Sequence, residues 1–239
     1  MHVLVIREES ASRKTAQRLR AASHVPVILP LMRIVPRGTA IPDGVFDAIV
    51  FTSAFAPALF SGLKDAESLL RLPVFCVGDA TASAAREAGF ENISSCGGSA
   101  QALADQLVLR MKDTGARILY PAARDKAFDL VAVAANSGFT ITEFELYGAD
   151  LVDPGQVALA SALRETGNGA VLLHSARSAQ HLGHLIEKHQ LGAQAASLTF
   201  IAISENVAMT AKGALPAENF LVLVAKLPEE DAMLALIET

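Results

Sequence analysis

Along the chain, short runs of continuous apolar residues alternate with segments whose apolar positions recur at helical spacing. The runs Val3 to Ile6, Val25 to Ile34, Ala48 to Thr52, Val74 to Val77, Asn92 to Ser95, Ile118 to Tyr120, Thr140 to Tyr147, Ala170 to His174, Leu198 to Ile203 and Phe220 to Ala225 read as strands. Most are unbroken and β-branched, the pattern of strands buried on both faces in parallel sheets covered by helices. Between them RKTAQRLRAA, TASAAREAG, SAQALADQLVLRMKD, DKAFDLVAVAANSG, QVALASALRE, SAQHLGHLIEKH and ENVAMTAKG read as helices, several ended by Gly or Asn. The segment LPEEDAMLALIE reads as a last helix with Pro228 in its first turn and acids behind it. The alternation predicts an α/β chain of about ten strands, neither a sandwich nor an eightfold barrel.

One pattern occurs twice. An apolar strand ends in a small hydroxyl residue, and a second such strand then ends in a tight turn that opens a helix. The first copy is DAIVFTSAFA at Asp47 to Ala56 with VFCVGDATASAAREAGF at Val74 to Phe90; the second is GAVLLHSARSA at Gly169 to Ala179 with FIAISENVAMTAKGAL at Phe200 to Leu215. Ser53 and Ser175 lie 122 positions apart (175 − 53), Gly78 and Ser204 lie 126 apart (204 − 78), and VLVIREES matches ILYPAARD with Arg7 and Arg124 117 apart (124 − 7). A near-constant offset over half the chain indicates duplicated halves. The segments PVILPLMRIVP and FTITEFELYGADLVDP run past ordinary strand length and end near Pro36 and Pro154. They read as two crossings between domains, giving residues 1–36 with 151–239 as one domain and 39–148 as the other, with linkers near 33–38 and 147–154. Two sequential domains split near residue 116 remain the alternative.

Composition sets the surroundings. The 239 residues are 51% hydrophobic and 19% charged, enough for full cores, and the net charge of −5 gives no general attraction to nucleic acid. The two cysteines, Cys76 and Cys96, lack paired metal-ligand spacing and read as reduced thiols. The opening HVLVIRE enters a strand directly and no apolar run approaches the ~20 residues of a membrane helix. The expectation is a cytoplasmic protein without membrane or nucleic-acid partners, and a monomer, since no heptad or large amphipathic seam is present.

Thr52, Ser53, Gly78, Thr81, Gly97, Gly98, Ser99, Ser175 and Ser204 lie at strand ends or helix starts. Backbone N–H groups and helix dipoles there bind carboxylates without lysine, outside the carboxyl ends of parallel strands. Taken singly, each is equally explained as an ordinary N-cap or turn former. Arg7 and Arg124, just past matching strands, suit carboxylate pairing; ion pairs with Glu8, Glu9 or Asp125 compete for them. His181 and His184 share a helix face that reads as solvated, and His174 precedes Ser175 at a strand end.

The ordered set VLVIRE, VPVILPLMRI, DAIVFTSAFA, VFCVGDATASAAREAGF, CGGSAQALADQL, ILYPAARD, EFELYGA, LLHSARS and IAISENVA resembles the uroporphyrinogen-III synthase family over nearly the whole chain. The resemblance implies two flavodoxin-like three-layer domains with parallel sheets, interleaved in sequence and joined by two extended linkers. It also implies a cleft site that uses no cofactor. The implied reaction is cyclisation of hydroxymethylbilane, a linear tetrapyrrole rich in carboxylates, to uroporphyrinogen III, with inversion of the D ring and loss of water. A transient contact with the upstream deaminase belongs to the same picture. Tyr147, in EFELYGA, matches the tyrosine of the family motif and is thereby the implied catalytic acid; an aromatic packing at the linker is its plain competitor. Tyr120 reads as a core or rim tyrosine. The second turn departs from the pattern, with Ser204 in place of a glycine and Asn206 and Val207 in place of threonines. A non-catalytic two-domain protein that binds a small anion is the competing reading of the same features.

Overall fold

Unbroken apolar strands demand cover on both sides, and helices supply it. The computed structural model describes residues 1–38, 40–126, 128–135, 137–215 and 220–237. Along the chain run β1 (His2–Val5), α1 (Glu9–Ala21), β2 (Val25–Ile28), β3 (Met32–Pro36), β4 (Ala48–Phe51), α2 (Ala56–Ser61), a 3₁₀ turn at Ala66–Leu69, β5 (Pro73–Cys76), α3 (Asp79–Glu87), β6 (Asn92–Ser95), α4 (Ala100–Met111) and β7 (Arg117–Ala123). Then follow α5 (Leu130–Ala134), β8 (Thr140–Leu151), α6 (Gln156–Thr166), β9 (Ala170–Leu173), α7 (Ala176–Lys188), α8 (Gly192–Ala195), β10 (Thr199–Ala202), α9 (Glu205–Ala214), β11 (Leu221–Val224) and α10 (Glu230–Leu234).

Two units form. The first comprises Met1–Arg33 and Asp150–Thr239, the second Ile34–Ala149. The first unit holds a sheet ordered β11-β10-β9-β1-β2, whose neighbours are all parallel. Successive residues of a strand face opposite sides. Leu4, Val171 and Leu173 accordingly pack with Leu163 of α6, Leu182 and Ile186 of α7 and Ala211 of α9. Val3, Val5 and Leu172 pack on the other side with Leu19 of α1 and Met233 of α10. Each such side chain contributes about 1.5–3 kcal/mol on leaving water.

The second unit repeats the scheme with the order β3-β8-β7-β4-β5-β6. Ile49, Phe51, Val74 and Leu119 lie with Phe60 of α2 and Ala82 and Ala85 of α3. Ala48, Val50, Phe75 and Ile118 lie with Leu103 and Leu107 of α4 and Leu130 of α5. Each unit is therefore a three-layer arrangement of helices, sheet and helices, in line with the expected fold class; the strands are parallel throughout the first sheet and from β8 to β6 in the second.

Local differences from the sequence reading have physical causes. The run Val25 to Ile34 is two strands, because Pro30 has no N–H to continue a ladder and the chain passes from the first sheet to the second. The expected helix DKAFDLVAVAANSG shrinks to α5, whose start is fixed by the Asp129 carboxylate accepting from the Ala132 N–H at 3.1 Å; positions 127 and 136 of that segment lie outside the described residues. Pro228 precedes the Glu229 N-cap of α10 rather than occupying its first turn, and position 238 of the expected helix is likewise outside the described residues. The short helices α2 and α8 carry too few residues to show a period.

Candidate active site

In a doubly wound parallel sheet, ligands bind outside the carboxyl ends of the strands where the strand order reverses. In the second unit that point is between β4 and β7, since the chain winds from β4 outward to β5 and β6, then returns to β7 on the other side. Thr52 and Ser53 leave β4 there. The Thr52 hydroxyl and the Tyr120 hydroxyl lie 3.0 Å apart, and Ser53 faces the same cavity as Tyr147. These four residues, with Val77, Ala100, Ala123, Asp125, Lys126 and Phe128, line a cavity of about 240 Å³.

The position of Tyr147 depends on an irregularity that alternation could not reveal. Ala122 of β7 pairs with Glu145 but Ala123 pairs with Tyr147, so a bulge inserts Leu146. Leu146 and Tyr147 consequently bury on the same core side although they are adjacent. A bulge that re-aims a side chain next to a site is a recurrent device. The ring of Tyr147 lies 6.5 Å from that of Phe55, and the residue is 5% exposed. Burial raises the pKa of both phenols, moderated by the hydroxyl partners Thr52 at Tyr120 and Ser53 at Tyr147. At neutral pH both are protonated donors. At the rim Lys126 pairs with Glu143, and that bond raises the lysine pKa.

The remaining sequence candidates divide. Gly97 and Gly98 have φ of 82° and 88°, a left-handed turn that glycine enters freely. The N–H of Gly98 donates to the Val77 carbonyl at 2.7 Å, so it is engaged in the fold rather than offered to a ligand. Gly78 has a tighter reason to be glycine: a Cβ there would meet Gly98 Cα at 3.0 Å. Ser99 and Ser175 act as N-caps, accepting from the N–H groups of Ala102 and Ser178, each at 3.1 Å. At α3 and α9 no side-chain cap is made by Gly78 or Ser204, so the matched turns of the two halves are alike in this respect.

Thr81 and Val207 occupy the same step of those two helices, three residues past Gly78 and Ser204. Each is 4% exposed. The position is one of packing in both halves, and the missing hydroxyl at Val207 removes nothing from an accessible surface. Arg124 pairs with Asp125 at 3.5 Å. Arg7 pairs with Glu230 at 3.4 Å, a partner other than the neighbours Glu8 and Glu9. His181 is not on a solvated face: its Nε2 lies 2.9 Å from the Val152 carbonyl, while His184 is exposed. Both cysteines are free and buried, and burial pushes the Cys76 thiol up to about 12. No group of residues able to hold a metal occurs among the described residues.

A family model described as Uroporphyrinogen-III synthase HemD matches residues 13–235. The chain belongs to the uroporphyrinogen-III synthase family. As such it is a cyclising lyase of tetrapyrrole synthesis whose family substrate is a small tetrapyrrole. No sequence among curated proteins matches it significantly. Among solved structures it is similar to uroporphyrinogen-III synthetase from Helicobacter pylori, with a TM-score of 0.66 and 17% identity over 99% of this chain and 98% of that one. At that identity the likeness shows the fold. A mutant uroporphyrinogen III synthase from the extreme thermophile Thermus thermophilus aligns at 14% identity over 100% of this chain and 97% of the other, with a TM-score of 0.45. No helix among the described residues is long and apolar enough to cross a membrane.

Proposed function

We propose that the synthase chemistry, closure of hydroxymethylbilane to uroporphyrinogen III, is carried by the β4/β7 cavity with Tyr147 as general acid. The observation that carries this reading is the buried, protonated Tyr147 phenol beside Ser53, in a cavity that Asp125 and Lys126 also line. The phenol gives its proton to the hydroxyl of the A-ring hydroxymethyl group, which leaves as water and generates an azafulvene cation. The D ring attacks through its substituted carbon to form a spiro intermediate. That intermediate fragments, and the D ring recloses through its unsubstituted carbon. The proton lost from that carbon restores the phenol. Ser53 donates to the phenolate while the proton is away. A positioned acid of this kind accelerates by about 10² to 10⁴, and the rest of the demand is conformational, because the free substrate closes to the type I isomer by itself.

Binding follows from the many carboxylates of the substrate. Arg7, Arg124 and the first turns of α3 and α9, behind Gly78 and Ser204, are the proposed carboxylate contacts, with Gly97 and Thr52 shaping the edge. The domains on this reading are residues 1–36 with 151–239 and residues 39–148, joined by linkers near 33–38 and 147–154. The enzyme works as a cytoplasmic monomer that meets the upstream deaminase transiently, since a substrate that closes unaided gains from a short path. The deciding assay supplies freshly made hydroxymethylbilane and separates the isomers of the product. Type III product from the wild type and its loss in Tyr147→Phe are expected; type I product alone at high protein concentration overturns the reading.

A further inference from the structure

The strand order of the first unit reverses between β1 and β9, the counterpart of the β4/β7 point. Arg7 leaves β1 there and His174 leaves β9. The place is filled by a carboxylate of the chain itself. Glu230, at the start of α10, accepts from the Arg7 guanidinium at 3.4 Å, from Arg18 of α1 at 2.5 Å, and from the Thr15 hydroxyl. The His174 Nε2 lies 3.2 Å from the same carboxylate. Arg18 also pairs with Asp231. The Glu230 side chain is 17% exposed and that of His174 9%. Two guanidinium groups, a hydroxyl and an imidazole from three elements converging on one carboxylate is the coordination expected of an anion-binding seat. Glu230 is carried on a short C-terminal segment that Met233 and Ile237 anchor in the core, with Ala232, Leu234 and Leu236 packed against it.

We propose that Arg7, Thr15, Arg18 and His174 form a carboxylate-binding site that the chain's own Glu230 occupies as a displaceable self-ligand. An external polycarboxylate enters by lifting α10, so the C-terminal segment sets the affinity of the seat. A tethered carboxylate acts at an effective concentration in the millimolar range, which a single acetate cannot match but a molecule with several carboxylates can. Binding and the Glu230 contact are mutually exclusive, so each weakens the other by the same factor. That the natural occupant is a carboxylate of the tetrapyrrole rests on the function proposed above; the seat and its self-ligand do not.

The test titrates tricarballylate, a stable tricarboxylate, into the full chain at constant ionic strength and follows the arginine Nε–H signals by NMR. In Glu230→Gln the signals of Arg7 and Arg18 are expected to shift and saturate at a concentration at least tenfold lower than in wild type, and Arg18→Gln added to that variant abolishes the shift. Equal saturation in wild type and Glu230→Gln, or no saturable shift in either, overturns the proposal. Should Glu230→Gln fail to fold, wild-type amide exchange decides: tricarballylate must speed exchange at Met233 and Leu234, and unchanged or slowed exchange overturns it. Neither readout depends on turnover, so failure here leaves the isomer assay, made on the same preparation, as a separate test of the synthase reading.

Discussion

Between β4 and β7 the chain places two phenols and two hydroxyls around a cavity of about 240 Å³; between β1 and β9, the equivalent place in the other unit, it sets Arg7 and His174 against Glu230. One point gathers neutral phenols and hydroxyls, the other cationic and imidazole groups around a carboxylate. Both sheets have a point of reversal flanked by parallel strands. The specialisation arises from what leaves each strand: Thr-Ser after β4 and His-Ser after β9. It also depends on what returns to the edge, a bulged β8 in one unit and the C-terminal segment in the other. The lesson is that topology reserves the place and a few side chains choose its chemistry.

The largest expected effect breaks the comparison on the acid side. Tyr147→Phe removes only the hydroxyl and is expected to lower kcat about 10²-fold or more at unchanged far-ultraviolet circular dichroism. Single-turnover kinetics check it, and a loss under threefold removes Tyr147 from the chemistry. Ser53→Ala comes next. Ser53 beside Tyr147 favours the phenolate, so its loss is expected to move the phenolate titration, followed by ultraviolet absorbance, to higher pH and to slow turnover several-fold; a shift to lower pH removes Ser53 from this role.

On the anion side, hydrogen bonds from His174, Thr15 and Arg18 bring the Glu230 carboxyl from its usual 4.5 to about 2. A carboxyl depressed in the fold adds stability above its unfolded pKa, and that stability is lost as pH falls from about 4.5 through about 2. Burial lowers the His174 pKa, so charging it in acid acts in the same direction. Glu230→Gln is therefore expected to cost about 1–2 kcal/mol at pH 7 and progressively less below pH 4. Urea unfolding at both pH values reads the difference, and a constant gap refutes the linkage. The smallest effect belongs to the matched helices. Thr81→Val and Val207→Thr are each expected to change stability by less than about 1.5 kcal/mol and turnover by less than twofold. A tenfold loss in Thr81→Val would return Thr81 to the site.

Several parts of this protein were legible before any coordinates. The runs Val3 to Ile6, Ala48 to Thr52 and Ala170 to His174 announced buried parallel strands, because two-sided cover leaves no room for alternation. Thr52 and Ser53 were visible as strand-end residues, whereas Tyr147, read as the end of its strand, lies inside β8. Gly97 and Gly98 were visible as a turn, but the engagement of the Gly98 N–H with Val77 was not. Thr81 read as a hydroxyl at a helix start, while packing made it interior.

The sequence alone determined the layers and the repeat, since hydrophobic periodicity and internal offsets are local properties of the chain. Only the tertiary structure decided which groups meet. The bulge at Leu146 turns Tyr147 toward Ser53 by slipping one residue of pairing against β7. The Glu230 seat joins residues 223 positions apart, Arg7 and Glu230. Register slips and distant ion pairs are fixed by the packing of whole elements against one another, and no window of neighbouring residues carries that information.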